Sequence, residues 1–422
     1  HYDAPTPFYK HRNGNAPDTS KIVRISHNNG ITLSNIHYSR QTLFAEVEIP
    51  EGANTPKHLG RAIRHISAHS GTEIEEIILT PLHNNLRGRS IKVMRSDVEN
   101  ALNNNQGSPE EIWRNVDFPV TDKQKTINTD NIHNMGINLK TQFLLTQDNQ
   151  LSLSEEDNGH LYRSSVTAHV KTSPFLGFFS NAAIKLNLSD NLENIEKLRP
   201  HSNFTTKGDI NVFTKERISI ENAVLGYAKS LTPSLHTAVT AGYLEEQYAG
   251  ISGEILYRPF SSRLSVGAEI HHALKRNPYT TLNAGIIQGG VTTGHVNIWY
   301  DLPKHDLTLK ASAGRFLATD VGIGIGLEKT FKNGAKIDTN LAISNYAEPD
   351  IFGGTTHAYH SISLTLPIGG ARYIPSGSHI KTTIAPFGRN IAQRINKPFD
   401  LYNNTEQFTL KHIADHWSEI LD

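Results

Sequence analysis

Residues 306–368 read DLTLKASAGRFLATDVGIGIGLEKTFKNGAKIDTNLAISNYAEPDIFGGTTHAYHSISLTLPI, and their alternation decides the fold. Val321, Ile323, Ile325 and Leu327 alternate with Gly322, Gly324, Gly326 and Glu328. Ile337, Leu341 and Ile343 alternate with Lys336, Asp338, Asn340 and Ala342, and Ile362, Leu364 and Leu366 with Ser361, Ser363 and Thr365. A period of two sends successive side chains to opposite faces of a sheet, one apolar and one polar. Lys332-Asn333-Gly334 supplies a hairpin turn, because Asn and Gly accept positive φ at low cost. Four strands in a row are expected here.

The same pattern extends backwards. Strands are expected near 136–147, 160–172, 178–189, 217–230, 234–245, 251–259, 263–275, 288–302, 306–317, 320–331, 335–346 and 356–368, about twelve in all. Each is close to the about 9–11 residues that a tilted membrane strand needs. Between Arg276 and Pro303 one long strand is expected, with Gln288-Gly289-Gly290 as a bend or bulge. Connection lengths suggest a direction. Short links at 173–177, 232–234, 260–262, 303–306 and 332–334 alternate with a set that includes long ones at 148–159, 190–216 and 347–355. Outer-membrane barrels combine short periplasmic turns with longer extracellular loops. An even strand count then leaves both flanking regions in the periplasm.

The region before the barrel differs. Residues 1–20 are rich in Pro, Asn, Gly and His and read as a flexible tail or linker. Lys21 to Glu48 suggests short strands around an Asn28-Asn29-Gly30 turn. Leu59, Ala62, Ile63 and Ile66 share one helical face after Pro56, and further helix starts lie at Ser96 and Ser108-Pro109. The expected architecture is mostly β: a transmembrane antiparallel β-barrel of about twelve strands over 126–370, a periplasmic α+β domain over 21–125, and a periplasmic tail over 371–422. That tail ends in an amphipathic helix near Glu406–Leu421.

Composition narrows the function. The 41 basic and 41 acidic residues cancel, which disfavours a general nucleic-acid binder. Cysteine is absent, so no disulfide framework or thiolate chemistry is available. The negative mean hydropathy is compatible with a barrel, since only alternate strand residues meet lipid. His65 and His69 stand at helical i, i+4 spacing, but Ile66 follows where the zinc-protease motif has Glu, so no metal site is expected. The alternating glycines 322, 324 and 326 lie on a strand with no helix after it, so they read as small lumen-facing residues rather than a phosphate loop. His236, His271 and His295 fall on inward phases, with no motif that fixes a catalytic triad. Tyr227, Tyr243, Tyr257, Trp299, Tyr300 and Tyr346 near strand ends suit interfacial girdles. Arg315 falls on the apolar phase of its strand unless Gly314 introduces a bulge.

If the apolar face meets lipid, then Glu254, Arg258, Glu269, Lys310, Glu328, Lys336 and Asp338 point into the lumen. They could line a glycan pathway, or pair across strands and brace the interior. The bracing role is the simpler expectation.

Several stretches resemble the YjbH/GfcD-type family of outer-membrane proteins tied to exopolysaccharide and capsule production. They are Leu225–Leu231 (LGYAKSL), Ala241–Phe260 (AGYLEEQYAGISGEILYRPF), Gly314–Asp320 (GRFLATD), Leu327–Gly334 (LEKTFKNG), Leu366-Pro367-Ile368, His58–Ile63 (HLGRAI) and Ile384–Asn390 (IAPFGRN). Residues 351–354 lack the Gly-Glu-Gly pattern that the resemblance leads one to expect there, and members of that family are longer at the N-terminus. The resemblance implies a non-enzymatic barrel in the cell outer membrane, without cofactor, assisting biosynthesis or export of an extracellular or capsular polysaccharide. Its implied partners are the polysaccharide, outer-membrane lipid, and periplasmic and outer-membrane components of a secretion system. Two other readings are an outer-membrane barrel enzyme acting on lipid or glycan, and a soluble carbohydrate-binding β protein.

Overall fold

Asp18 accepts a hydrogen bond from the backbone N–H of Lys21 (3.0 Å) and starts helix α1, Thr19–Asn28. A strand was the expectation for this segment. Ile22 and Ser26, one turn apart on the buried side, explain why the helix forms instead. The computed structural model describes residues 18–71, 73–103, 107–120, 140–155, 159–173, 177–195, 206–303, 306–349 and 354–422. The expected tail before residue 18 and most of the expected boundary near 120–130 lie outside these.

After α1 come β1 (Leu33–Ser39), β2 (Thr42–Glu48), α2 (Thr55–His69), β3 (Glu76–His83), β4 (Leu86–Arg87), β5 (Ile91–Met94), α3 (Arg95–Asn103) and α4 (Pro109–Arg114). β2 and β3 are parallel, with α2 as the crossover between them. The core beneath them is aliphatic, including Leu43, Val47, Leu59, Ile63, Ile66 and Ile77. It also contains Ile413, Trp417 and Ile420, more than 290 residues further along the chain.

The barrel strands are β6 (Lys140–Glu155), β7 (Gly159–Ser173), β8 (Phe178–Asp190), β9 (Ile218–Thr232), β10 (Leu235–Tyr243) and β11 (Tyr248–Tyr257). They continue as β12 (Leu264–Asn277), β13 (Gly285–Leu302), β14 (Leu307–Arg315), β15 (Val321–Thr330), β16 (Lys336–Pro349), β17 (Thr355–Pro367) and β18 (His379–Ile384). Neighbours in sequence pair antiparallel, and β13 is a single long strand whose register against β12 slips beside Gly289 and Gly290. The apolar phase faces outward: Ile323 and Ile325 are 60% and 55% exposed, and Val296, Leu309, Leu341 and Ile362 lie on the same surface. Such an outer wall matches lipid rather than water.

The barrel closes with thirteen strands, not twelve. The added strand, β18, has six residues and follows the Gly- and Pro-containing stretch 369–377, which hid it from the alternation. An odd count cannot close antiparallel, so β18 runs parallel to β6, from His379 opposite Thr146 to Ile384 opposite Leu151. The loop asymmetry is also weaker than expected. β6 runs on to Glu155 and β7 starts at Gly159, so the polar stretch 148–159 is mostly strand. Parallel closure leaves the end of β18 at the opposite mouth from the start of β6, and the chain after it must return.

Candidate functional site

It returns through the lumen. A barrel of eight strands fills its interior with side chains and one of 16–18 leaves a channel. Thirteen strands fall between, and here the room is taken by residues 385–408. At the mouth away from the α+β unit, barrel groups hold the tail by its backbone. The Asn390 N–H donates to Glu348 Oε1 (3.0 Å), that of Ala392 to Asp320 Oδ2 (2.9 Å), and that of Asn396 to Glu245 Oε2 (2.9 Å). Leu317 N–H donates to the Gln393 carbonyl (3.0 Å), and Asn390 Oδ1 accepts from Thr206 N–H (2.8 Å).

Mid-lumen contacts are ionic. Arg394 donates to Glu269 Oε1 (2.5 Å) and to Asn297 (2.8 Å). Lys397 bridges Glu269 (2.7 Å), Glu254 (3.0 Å) and Asp400 (2.8 Å). Towards the α+β unit, Arg258 donates to the Tyr402 carbonyl (2.6 Å) and stacks over its ring, whose other neighbour is Trp299 at 4.4 Å. Lys336 pairs with Glu406, while Lys310 pairs with Asp338 and lies 3.6 Å from Glu328. All seven charges singled out from the sequence are therefore inside, and four of them, Glu254, Arg258, Glu269 and Lys336, hold the tail directly. His271 and His295 flank the same Glu269 at 3.8 and 3.3 Å.

A second buried cluster seals one side. The tip Leu244–Gln247 folds inward between β10 and β11, and Arg163 meets Glu246 through two hydrogen bonds of 2.8 Å. Lys185 joins Glu246 at 3.1 Å and also pairs with Glu221. Bidentate guanidinium–carboxylate geometry fixes the orientation of both side chains. Sequence reasoning missed Glu245, Glu246, Asp320, Asn390, Arg394 and Lys397. A signal existed: Glu245, Glu246, Asp320 and Asn390 lie in the stretches that carry the family resemblance, and Glu245 and Asp320 both hold the threaded segment to which Asn390 belongs.

The tail emerges at the other mouth and completes the α+β unit. Leu410 N–H donates to the Phe260 carbonyl (2.9 Å), and Trp417 Nε1 to the Pro109 carbonyl (2.7 Å). Arg64 donates to the carbonyls of Leu421 (3.2 Å) and Asp422. The β3–β4 hairpin, with Asn84 and Asn85 at φ 48° and 66°, plugs the mouth: Leu86 is fully buried and Arg87 N–H reaches Ser230 Oγ (2.8 Å). Glu51 pairs with Lys171 at 2.9 Å. Burial disfavours the Glu51 carboxylate, but Lys171, His83 and Asn84 outweigh it and hold the acid at about 2.

Of three other residues singled out from the sequence, one, Trp299, sits differently from expectation. Trp299 faces inward onto Tyr402 instead of joining the outer girdle, whereas Tyr227, Tyr257 and Tyr300 are exposed. Arg315 ends β14 on the outer face without a bulge, paired with Gly294 and Val321. His69 spends its Nδ1 on the His65 carbonyl (2.9 Å), and no group of three metal-ligand side chains occurs among the described residues.

Among solved structures, the chain is similar to Salmonella typhi OmpF in a complex with daunomycin, at 11% identity and a TM-score of 0.31 over 55% of this chain and 86% of that one. It is also similar to a loop L8 deletion mutant of OmpT, an outer membrane protein of Vibrio cholerae, at 11% identity and a TM-score of 0.27 over 53% and 86%. A curated relative, the uncharacterized lipoprotein YjbH of Escherichia coli (strain K12), is 24% identical over 266 residues, which span 60% of this chain and 37% of that protein. The chain thus matches little more than a third of that relative's length. The family model YjbH, described as exopolysaccharide biosynthesis protein YbjH, matches residues 1–407, and the protein belongs to that family of exopolysaccharide biosynthesis proteins.

Proposed function

We propose that this protein is an outer-membrane barrel that assists export of an extracellular or capsular polysaccharide without catalysing a reaction and without conducting the polymer through its own lumen. The observation that carries this reading is the threaded tail. Residues 385–408 occupy the interior and are fastened at both mouths and midway. An interior held this way suits a sealed membrane mount better than a conduit. What it mounts is the α+β unit, whose core includes Ile413, Trp417 and Ile420 from that same tail. The unit stands in the periplasm in this reading and meets other components of the secretion system, while the apolar wall meets outer-membrane lipid. Family membership and the exposed aliphatic belt support the setting.

The test compares secreted polymer and membrane fractions from cells with and without the protein. The expected result is a drop in secreted polysaccharide of unchanged linkage composition, with the protein recovered in the outer membrane. Unchanged secretion, or recovery without detergent, overturns the reading. An altered polymer structure that depends on one inward side chain such as His295 points to an enzyme instead.

A further inference from the structure

The aliphatic outer wall is interrupted at the seam where β18 meets β6. On β15 the outward run Val321, Ile323, Ile325 and Leu327 is unbroken. On β6 the outward phase reads Phe143, Leu145, Gln147, Asn149, Leu151 and Leu153. Phe143 and Leu145 are exposed below the two amides and Leu153 above them, so the amides stand inside the apolar belt rather than at its edge. Thr382 of β18 pairs with the outward Leu364 on one side and lies opposite Asn149 on the other. Ser164 of β7 lies on the far flank of Asn149. Three neighbouring strands thus carry a polar row across the seam.

Polar side chains elsewhere on the wall are satisfied by their own sheet. Thr339 Oγ1 donates to the Leu327 carbonyl (3.2 Å) and Thr237 Oγ1 to the Lys229 carbonyl (3.3 Å). At the seam, Ser164 Oγ donates to Asn149 Oδ1 (2.8 Å), and the network stops there. Among the described residues, Asn149 Nδ2, the Gln147 amide and the Thr382 hydroxyl have no hydrogen-bond partner. Water serves such groups, whereas hydrocarbon cannot, and an unpaired amide inside it is costly. At that depth polar side chains are met by polar side chains of a neighbouring membrane segment. The seam is also a short join: six residue pairs hold β18 to β6, against fifteen between β6 and β7.

We propose that this seam face docks on the same face of a second copy of the chain, about a two-fold axis along the membrane normal, so that Gln147, Asn149 and Thr382 of one copy meet the same groups of the other. Two properties of the row select a copy over an unlike partner. Amides and hydroxyls both donate and accept, and the row carries no charge, so it complements itself as an isologous interface requires. A second copy inserted in the same orientation also brings its row to the same depth by symmetry. The proposal goes beyond the export reading and rests only on the wall meeting lipid.

The chain has no cysteine, so one introduced thiol reports one position. Leu151→Cys stands beside the row, and Ile270→Cys replaces a 59% exposed residue of β12, across the ring from the seam. Outer membranes holding the full chain are treated with a short membrane-permeant bis-maleimide before detergent is added. Leu151→Cys is expected to give a band of twice the chain mass and Ile270→Cys a band of single mass. Gln147→Leu with Asn149→Leu, added to Leu151→Cys, is expected to abolish the doubled band while heat-modifiable migration persists. If that double substitution fails to fold, Gln147→Leu alone decides by a weaker doubled band. In lauryldimethylamine oxide micelles, light scattering should give the protein mass of two chains, falling to one in the leucine variant. A dimer seen in membranes and lost in micelles still supports the proposal if the leucine substitutions abolish it. Single bands from both thiol variants, doubled bands from both, or a dimer undiminished by the leucine substitutions overturns it. Recovery of the protein without detergent removes the lipid from the argument and overturns it as well.

Discussion

The backbone carbonyl of Ile420 occupies the place where a β-carbon on Gly60 would stand, only 1.7 Å away. Gly60 lies mid-way in α2, where Ala is otherwise the better helix former. Here the contact is backbone against side chain and has no flexible group to yield. Gly60→Ala is expected to push the final turn off α2 and cost about 1–3 kcal/mol, as overpacking does. The checks are a lower midpoint of thermal unfolding and faster proteolysis after residue 409. An unchanged midpoint would sink the claim that this approach is tight.

Glu269 neutralises Arg394 and Lys397 with one carboxylate. Glu269→Gln leaves two cations facing an amide inside the barrel. Breaking a buried pair costs on the order of 3 kcal/mol. We expect the tail to become protease-accessible while the barrel keeps its heat-modifiable migration. Protection equal to the parent protein would show that the ionic contacts do not hold the tail.

The threaded lumen predicts electrical silence. In planar bilayers the parent protein should add no stepwise conductance. Asp320→Asn combined with Glu245→Gln, which weakens two clamps on the tail backbone, should produce discrete openings. Steady porin-like steps from the parent protein would contradict the sealed reading.

The outer wall can be tested with one charge. Ile325 is 55% exposed and central in β15. Ile325→Arg places a guanidinium against hydrocarbon and should cost about 2–4 kcal/mol of folding into vesicles. Equal folding efficiency would mean that this face does not meet lipid.

Acid should weaken the α+β unit in two stages, first at the tail that completes it and then at its ionic tie to β7. Burial lowers the His412 imidazole to about 4, helped by His416, Lys336 and Arg258 against the opposing Glu406. The unfolded chain takes up that proton near 6.5 and the folded one does not, so stability falls as pH drops from about 6.5 to 4. Glu51, held at about 2, adds a second loss from about 4.5 down to 2. Melting curves across pH 7 to 4 should show the first slope, flattened in His412→Gln. An identical slope in the variant would assign it elsewhere.

The barrel was legible because alternate residues answer to two solvents, and that signal survives in each of β6 to β17. β18 escaped because six residues, with Lys381 and two threonines, do not alternate long enough to stand out. The miscount hid the tail's route through the lumen, although the expected end point, on the same side as the α+β unit, is where the tail finishes. The inward position of Glu254, Glu269 and Lys336 was legible from phase alone. Their partners were not, because Arg394 and Lys397 sit in a segment without helix or strand, and Glu406 opens only a single 3-10 turn. That segment is shaped by the wall around it, and periodicity carries no trace of such a constraint. The surplus of charge on the inner phase was the usable clue: a lumen that needs bracing holds something to brace against.

Parallel pairing of β18 with β6 also sets an order of assembly. A finished ring cannot easily admit the helical residues beyond 400, so the wall must wrap around the tail and the β18–β6 seam must zip late. Until then the α+β unit lacks Ile413, Trp417 and Ile420 and its core stays unfinished. The molecule thereby acts as its own inspector: the core of the region made early is completed by residues from the region made last, so a chain halted midway lacks that part of its core.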